Sequence, residues 1–165
     1  MNNKLFFDLE ETLVSTTINN EVESDLLISY GKKMRAYTNI RPGAVEAIER
    51  SIRSVGFFDV YLITESYKDY VSELCRLGKL SFYQRNVIPD VKRVMNLGDS
   101  VNESNNYLVS SRDFDPSDRK CRLLGIKDED SYLKVKPYLS GADDSCFLES
   151  VVSQISKINS DRYDY

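Results

Sequence analysis

One segment constrains the fold more than any other: across residues 42–63 the chain reads as a helix that runs, through a single glycine, straight into an apolar strand. Pro42-Gly43 opens the helix, Val45, Ile48, Ile52 and Val55 recur at spacings of three and four, and Gly56 closes it. Residues 57–63 (FFDVYLI) are apolar, aromatic and β-branched, the composition of a buried strand. Residues 4–9 (KLFFDL) form an earlier run of the same kind, interrupted at Asp8. Beyond residue 63 a second helical pattern carries Tyr67, Tyr70, Val71, Leu74 and Cys75 on one face and stops at Gly78, with Ser66 placed to cap it. Strands that alternate with helices predict an α/β fold with a mostly parallel, Rossmann-like sheet flanked by helices. Residues 24–39 depart from that alternation. Two strand-like runs around Gly31-Lys32 predict a small β-hairpin insertion, spanning about residues 20–40, with a basic tip of Lys32, Lys33 and Arg35. Further strands are expected at 80–87, 107–109 and 134–139, a short helical turn at 90–98, and an amphipathic helix at 146–158. A length of 165 residues suits a single domain, 1–165, with no large cap domain.

Composition removes whole classes of chemistry. Histidine is absent, which excludes catalysis that needs an imidazole base and zinc sites built on histidine. Cys75, Cys121 and Cys146 are odd in number and widely spaced, which reads as reduced thiols in a cytoplasmic protein. No run approaches the roughly 18 apolar residues of a membrane span, so no membrane partner is expected. Twenty-two Lys and Arg against 26 Asp and Glu leave a net charge of −4, which argues against a general charge-driven affinity for nucleic acid.

The polar interruptions fall where a parallel sheet binds ligands, at the carboxyl ends of its strands. Asp8, Glu10 and Thr12 alternate at the end of the first strand, and Thr64 stands at the end of residues 57–63. Alternation starts Asp8 and Glu10 on one face. Two carboxylates 4 Å apart repel by about 4 kcal/mol at an effective dielectric near 20, and a divalent cation relieves the repulsion. The plainer alternative for Asp8-Leu-Glu-Glu is an acidic helix start or a solvated turn.

Taken together, KLFFDLEETLVST resembles the first motif of the haloacid-dehalogenase (HAD) superfamily, an apolar strand followed by Asp-x-Asp-x-Thr. Within it the chain is similar to the small carboxy-terminal-domain, or NLI-interacting-factor-like, phosphatases. IRPGAVEAIE, with Arg41-Pro42-Gly43, resembles the family's helix-opening Arg-Pro-Gly, and VYLITES places Thr64 at the strand-terminal Ser or Thr of the second motif. VKRVMNLG resembles the segment that brings the lysine, here Lys92, and KPYLSGADDSCFLESVVSQI resembles the carboxyl end. The resemblance implies a magnesium-dependent phosphomonoester hydrolase. Asp8 is then the nucleophile that forms an aspartyl-phosphate, Glu10 the general acid and base, Thr64 a phosphoryl hydrogen-bond donor and Lys92 the neutralising cation, with Thr12 and Arg41 on the substrate side. Mg2+ would be held by Asp8 and Glu10, the latter through its main-chain carbonyl.

Two departures from the family pattern bear on activity. Glu10 stands where the second Asp is expected, and its extra methylene moves the carboxylate by about 1 Å, enough to cost roughly 100-fold in rate. Where the fourth motif should supply an acid, YLVSS supplies Ser110 and Ser111. Asp113, with Asp115, is one candidate for the missing metal ligand. Asp99, with Glu103, is the other. The implied substrate is a phosphorylated protein, phosphoserine or phosphothreonine. A nucleic-acid end or nucleotide phosphate, met by Lys32, Lys33 and Arg35, is the second choice, and a catalytically degenerate binding module is the rival reading.

Overall fold

The structure, a computed structural model, describes residues 2–18, 24–88, 103–139 and 146–161. Five strands, β1 (Asn3–Asp8), β5 (Val60–Ile63), β6 (Val87–Ile88), β7 (Asn105–Ser110) and β8 (Tyr132–Lys134), form a sheet of order β6-β5-β1-β7-β8 in which every pairing is parallel. Helices α1 (Ala44–Val55), α2 (Lys68–Leu77), α3 (Arg119–Leu124) and α4 (Phe147–Asp161) complete this layered core. β1 is the central strand, and the order departs from it in both directions, which makes its carboxyl end a topological switch point.

The pleat of β1 distributes the core. Leu5 and Phe7 face a cluster built with Ala47 and Ile48 of α1, Leu74 of α2 and Val151 and Ile158 of α4. Phe6 faces the other way, stacked on Tyr61 at 4.6 Å between ring centroids and packed with Leu108 and with Cys121 and Leu124 of α3. Burial on both sides explains why β1 is apolar without alternation. It also fixes the direction of Asp8: as the next even position after Phe6, it belongs to the α3 side.

The expected hairpin is present as β3 (Leu26–Tyr30) and β4 (Met34–Ile40), and β2 (Val14–Thr17) joins it to make a three-stranded antiparallel sheet of order β2-β4-β3. Gly31 takes the left-handed turn conformation, φ 60°. The sheet is tied to α2 through Tyr70, whose hydroxyl bonds those of Thr16 (2.7 Å) and Thr38 (2.9 Å).

Four local expectations change. The strand expected at 57–63 begins only at Val60, because Phe57–Asp59 form a 3-10 turn that leaves Phe57 and Phe58 exposed. The strand expected at 80–87 is a 3-10 turn, Gln84–Asn86, followed by the two-residue β6, because the Asn86 side-chain amide itself takes the carbonyls of Phe58 and Val60, both at 2.9 Å. The strand expected at 134–139 is β8, two residues earlier, and ends as Pro137 approaches. Ser66 does not cap α2, which begins at Lys68 with Tyr67 before it. The helical turn expected at 90–98 lies outside the described residues. Among the described residues no helix is long and apolar enough to cross a membrane.

Candidate active site

Asp8 ends β1 and is only 6% exposed. Its register partner is Ile63, one residue before Thr64, and on the other side Phe7 pairs with Val109, one residue before Ser110. The ends of three adjacent strands thus converge on one carboxylate. That carboxylate has a cation on it: the Lys120 ammonium, from the first turn of α3, donates to Asp8 Oδ1. A cation in a helix's first turn opposes the macrodipole, so the placement owes its stability to Asp8. Asp8 and Lys120 line a cleft of ≈ 180 Å³ with Ser110, Arg112, Asp118 and Tyr132.

Beyond Asp8 the backbone folds back on itself. The Leu9 carbonyl accepts from the amides of Thr12 (3.2 Å), Leu13 (2.9 Å) and Val14 (3.3 Å), and Glu11 sits in the left-handed region at φ 59° to close the turn. Thr12, fully buried, accepts the Ser111 amide on Oγ1 at 3.0 Å, which locks this turn to the end of β7. Arg41 is buried too. Its Nη1 donates to the Thr12 carbonyl at 3.1 Å, its guanidinium lies 4.5 Å from the Phe147 ring centroid, and burial lowers its pKa to about 10. The structure therefore places Thr12 and Arg41 beneath the turn, in contact with backbone and aromatic rings.

Glu10 lies beyond the end of β1, where strand alternation no longer sets its direction. Its Oε1 accepts the Ser66 hydroxyl at 3.1 Å, and the Thr16 hydroxyl also bonds the carboxylate. Loss of water around the carboxyl, with the nearby charge of Glu11, nevertheless raises its pKa above that of an ordinary glutamate. Thr64 is nearly buried, its amide bonded to the Ile88 carbonyl (3.0 Å) and its Oγ1 accepting the Ser66 amide (3.0 Å). Ser66 thus joins Glu10 to Thr64 across the strand ends.

The other expected residues fare differently. Asp113 stands on the rim of the cleft, but its side chain is 92% exposed and is paired with Lys134, which holds its carboxyl below the usual range. Lys92 and Asp99 lie outside the described residues. Ser110 and Ser111 are buried at the end of β7, where Ser110 Oγ accepts the Arg112 amide at 3.2 Å. Among the described residues no three Asp, Glu or Cys side chains cluster as a metal site. Magnesium asks for one or two carboxylates in octahedral geometry. Here Asp8 already carries an ammonium, Asp113 is paired with Lys134 and serines stand at the end of β7, so the described side chains do not fit the ion. Sequence reasoning missed Lys120 and Ser66. The available signal for Lys120 was a basic Arg119-Lys120 pair directly after the acidic loop that leaves β7.

The comparisons with known proteins bear on the family and the fold. The family model described as NLI interacting factor-like phosphatase matches residues 3–85, half of the chain and all of the segment from β1 through α2. Two solved structures share the fold. One is Fcp1, an essential RNA polymerase II CTD phosphatase, at TM-score 0.56 and 17% identity over 98% of this chain and 51% of that one. The other is a fission yeast Fcp1 variant bound to beryllium fluoride, at TM-score 0.55 and 13% identity over 98% of this chain and 53% of that one. The chain spans about half the length of both. No curated protein sequence matches it.

Proposed function

We propose that this chain, which belongs to the NLI interacting factor-like phosphatase family, hydrolyses phosphomonoesters through an aspartyl-phosphate on Asp8. The fold is that of the HAD-type phosphatases. The observation that carries the proposal is the position of Asp8: a nearly buried carboxylate at the switch point of a parallel sheet, faced by an ammonium and opening on a cleft.

In this reading an Asp8 oxygen attacks phosphorus and displaces the alcohol. Glu10 is the group to protonate the leaving oxygen and later to take a proton from the hydrolytic water, and its raised pKa suits a carboxyl that must begin protonated. The Thr64 hydroxyl accepts from Ser66 and has its own proton to give to a phosphoryl oxygen. Thr12 and Arg41 hold the turn that aims Asp8 and Glu10. The described side chains do not assemble a site for the magnesium that the resemblance implies. Phosphoserine or phosphothreonine on a protein is the proposed substrate, because among the described residues the insertion after β1 is no more than a small antiparallel sheet. Free Cys75, Cys121 and Cys146 suit a reducing, cytoplasmic compartment.

The test is hydrolysis of an aryl phosphate, and then of a phosphoserine peptide, by wild type and Asp8→Asn. Turnover that disappears in the variant, with phosphate trapped on the wild-type chain by acid quench, is expected. A folded wild-type protein that turns over nothing across pH 5 to 9, with or without divalent metals, would overturn the hydrolase reading in favour of a phosphate-binding module.

A further inference from the structure

A phosphomonoester dianion approaching a carboxylate meets repulsion that a cation must relieve, and the structure identifies the cation. Lys120 Nζ contacts Asp8 Oδ1, the atom that would attack, and the two side chains are only 16% and 9% exposed. The ammonium is not carried on a mobile arm. The helix that bears it is seated by Cys121 and Leu124 in the cluster around Phe6, the β1 neighbour that shares Asp8's face. Around the pair, Asp113 is engaged by Lys134, Asp115 by the amide and hydroxyl of Ser117, Asp118 lines the same cleft, and Ser110 and Ser111 end β7; among the described residues no three of these acids cluster as a metal site. Lys120 follows β7 in the chain, whereas the lysine implied by the family resemblance, Lys92, precedes it.

We propose that Lys120 is a catalytic residue that supplies to Asp8 and to the incoming phosphoryl group the positive charge a divalent cation would otherwise bring, so that phosphoryl transfer in this chain needs no bound metal. The inference rests on the hydrolase reading above. Asp8 Oδ forms a bond to phosphorus as the bond from phosphorus to the ester oxygen breaks. The departing electron pair stays on that oxygen, which takes the Glu10 proton and leaves as the alcohol. Water then attacks phosphorus, loses a proton to Glu10, and the acyl-phosphate P–O bond breaks to return the Asp8 carboxylate and inorganic phosphate. Lys120 remains an ammonium throughout. It starts on the nucleophile and ends shared with the transferring oxygens, the point at which fixed charge is worth most.

Three readouts test this on the full chain. Aryl phosphate turnover by wild type in excess EDTA should lie within threefold of that in 5 mM magnesium. Lys120→Met should lower kcat/KM by roughly 100-fold or more, with Lys120→Arg recovering part of the loss. Binding of tungstate, a tetrahedral oxyanion, followed by calorimetry in EDTA, should be present in wild type and weakened about tenfold or more in Lys120→Met. Circular dichroism and the urea midpoint establish that each variant folds, and Lys120→Gln replaces Met if it does not. Wild-type turnover that appears only with magnesium, or Lys120 variants that keep full activity and tungstate affinity, would overturn the inference and leave the hydrolase reading standing. Absence of turnover in every condition would overturn both.

Discussion

Replacing Thr12 by valine removes one atom's worth of chemistry and little volume, which makes it a sharp test of how the site is held. Thr12 is fully buried, and its Oγ1 accepts the Ser111 amide at 3.0 Å between segments 99 positions apart in sequence. Valine preserves the shape but leaves that buried amide unpaired, a cost of about 1–3 kcal/mol. Serine keeps the acceptor and deletes one buried methyl, a cost of about 1 kcal/mol. If the hydroxyl is a structural tie, Thr12→Val is the worse variant, by about 2 kcal/mol relative to wild type, or a fall of roughly 4–8 °C in Tm for a chain of this size. Urea unfolding followed by circular dichroism measures the difference, with unchanged m-values as the check that the denatured state is the same. If hydrophobic packing alone set the stability, the order would invert: valine would be nearly neutral and serine the costly change. That inversion, or a Thr12→Val protein as stable as wild type with a raised KM, would refute the argument and return Thr12 to the substrate side.

Three other outcomes follow from the geometry. The raised pKa of Glu10 means that the folded protein binds its proton more tightly than the unfolded chain does, so its contribution to stability is present below the unfolded value near 4.5 and is lost as pH rises through the folded one; Glu10→Gln should flatten the urea midpoint across that window, and a variant with an unchanged pH profile would refute it. Gly43 precedes α1 at φ 86°, and a Cβ there would meet Leu148 Cβ at 2.9 Å, so Gly43→Ala should cost about 2–3 kcal/mol in urea unfolding, with a loss under 0.5 kcal/mol as the contrary result. Burial pushes the Cys75 thiol up to about 11 and also raises Cys121, whereas Cys146 is exposed, so a disulfide reagent at pH 8 should modify Cys146 rapidly and reach the other two only on unfolding; three rapid equivalents would contradict the packing.

Much of this protein was legible before any coordinates. The helix opened by Pro42-Gly43, the second half of the strand expected at 57–63 and the apolar β1 follow from local periodicity and from burial on both faces, which write themselves into consecutive residues. So did the importance of Asp8, since a carboxylate that interrupts a buried strand near its end has few structural uses. What the sequence could not supply was partnership. Asp8 and Lys120 lie 112 positions apart, and Lys120 reaches the carboxylate only because β7 pairs parallel to β1 and α3 packs on the face that Phe6 and Asp8 share. Arg41, placed on the substrate side by the resemblance of Arg41-Pro42-Gly43, lies against the Thr12 carbonyl and the Phe147 ring, contacts that the sequence did not announce. Glu10 was expected to share Asp8's face, but β1 ends two residues before it, and the Ser66 hydroxyl from beyond β5 bonds its carboxylate. Secondary structure is set largely by neighbours in the chain, so sequence alone determined the longer helices, the central strand and the nucleophile candidate. Charge pairing and burial are set by neighbours in space, so only the tertiary structure decided that Lys120 faces Asp8 and that Lys134 holds Asp113.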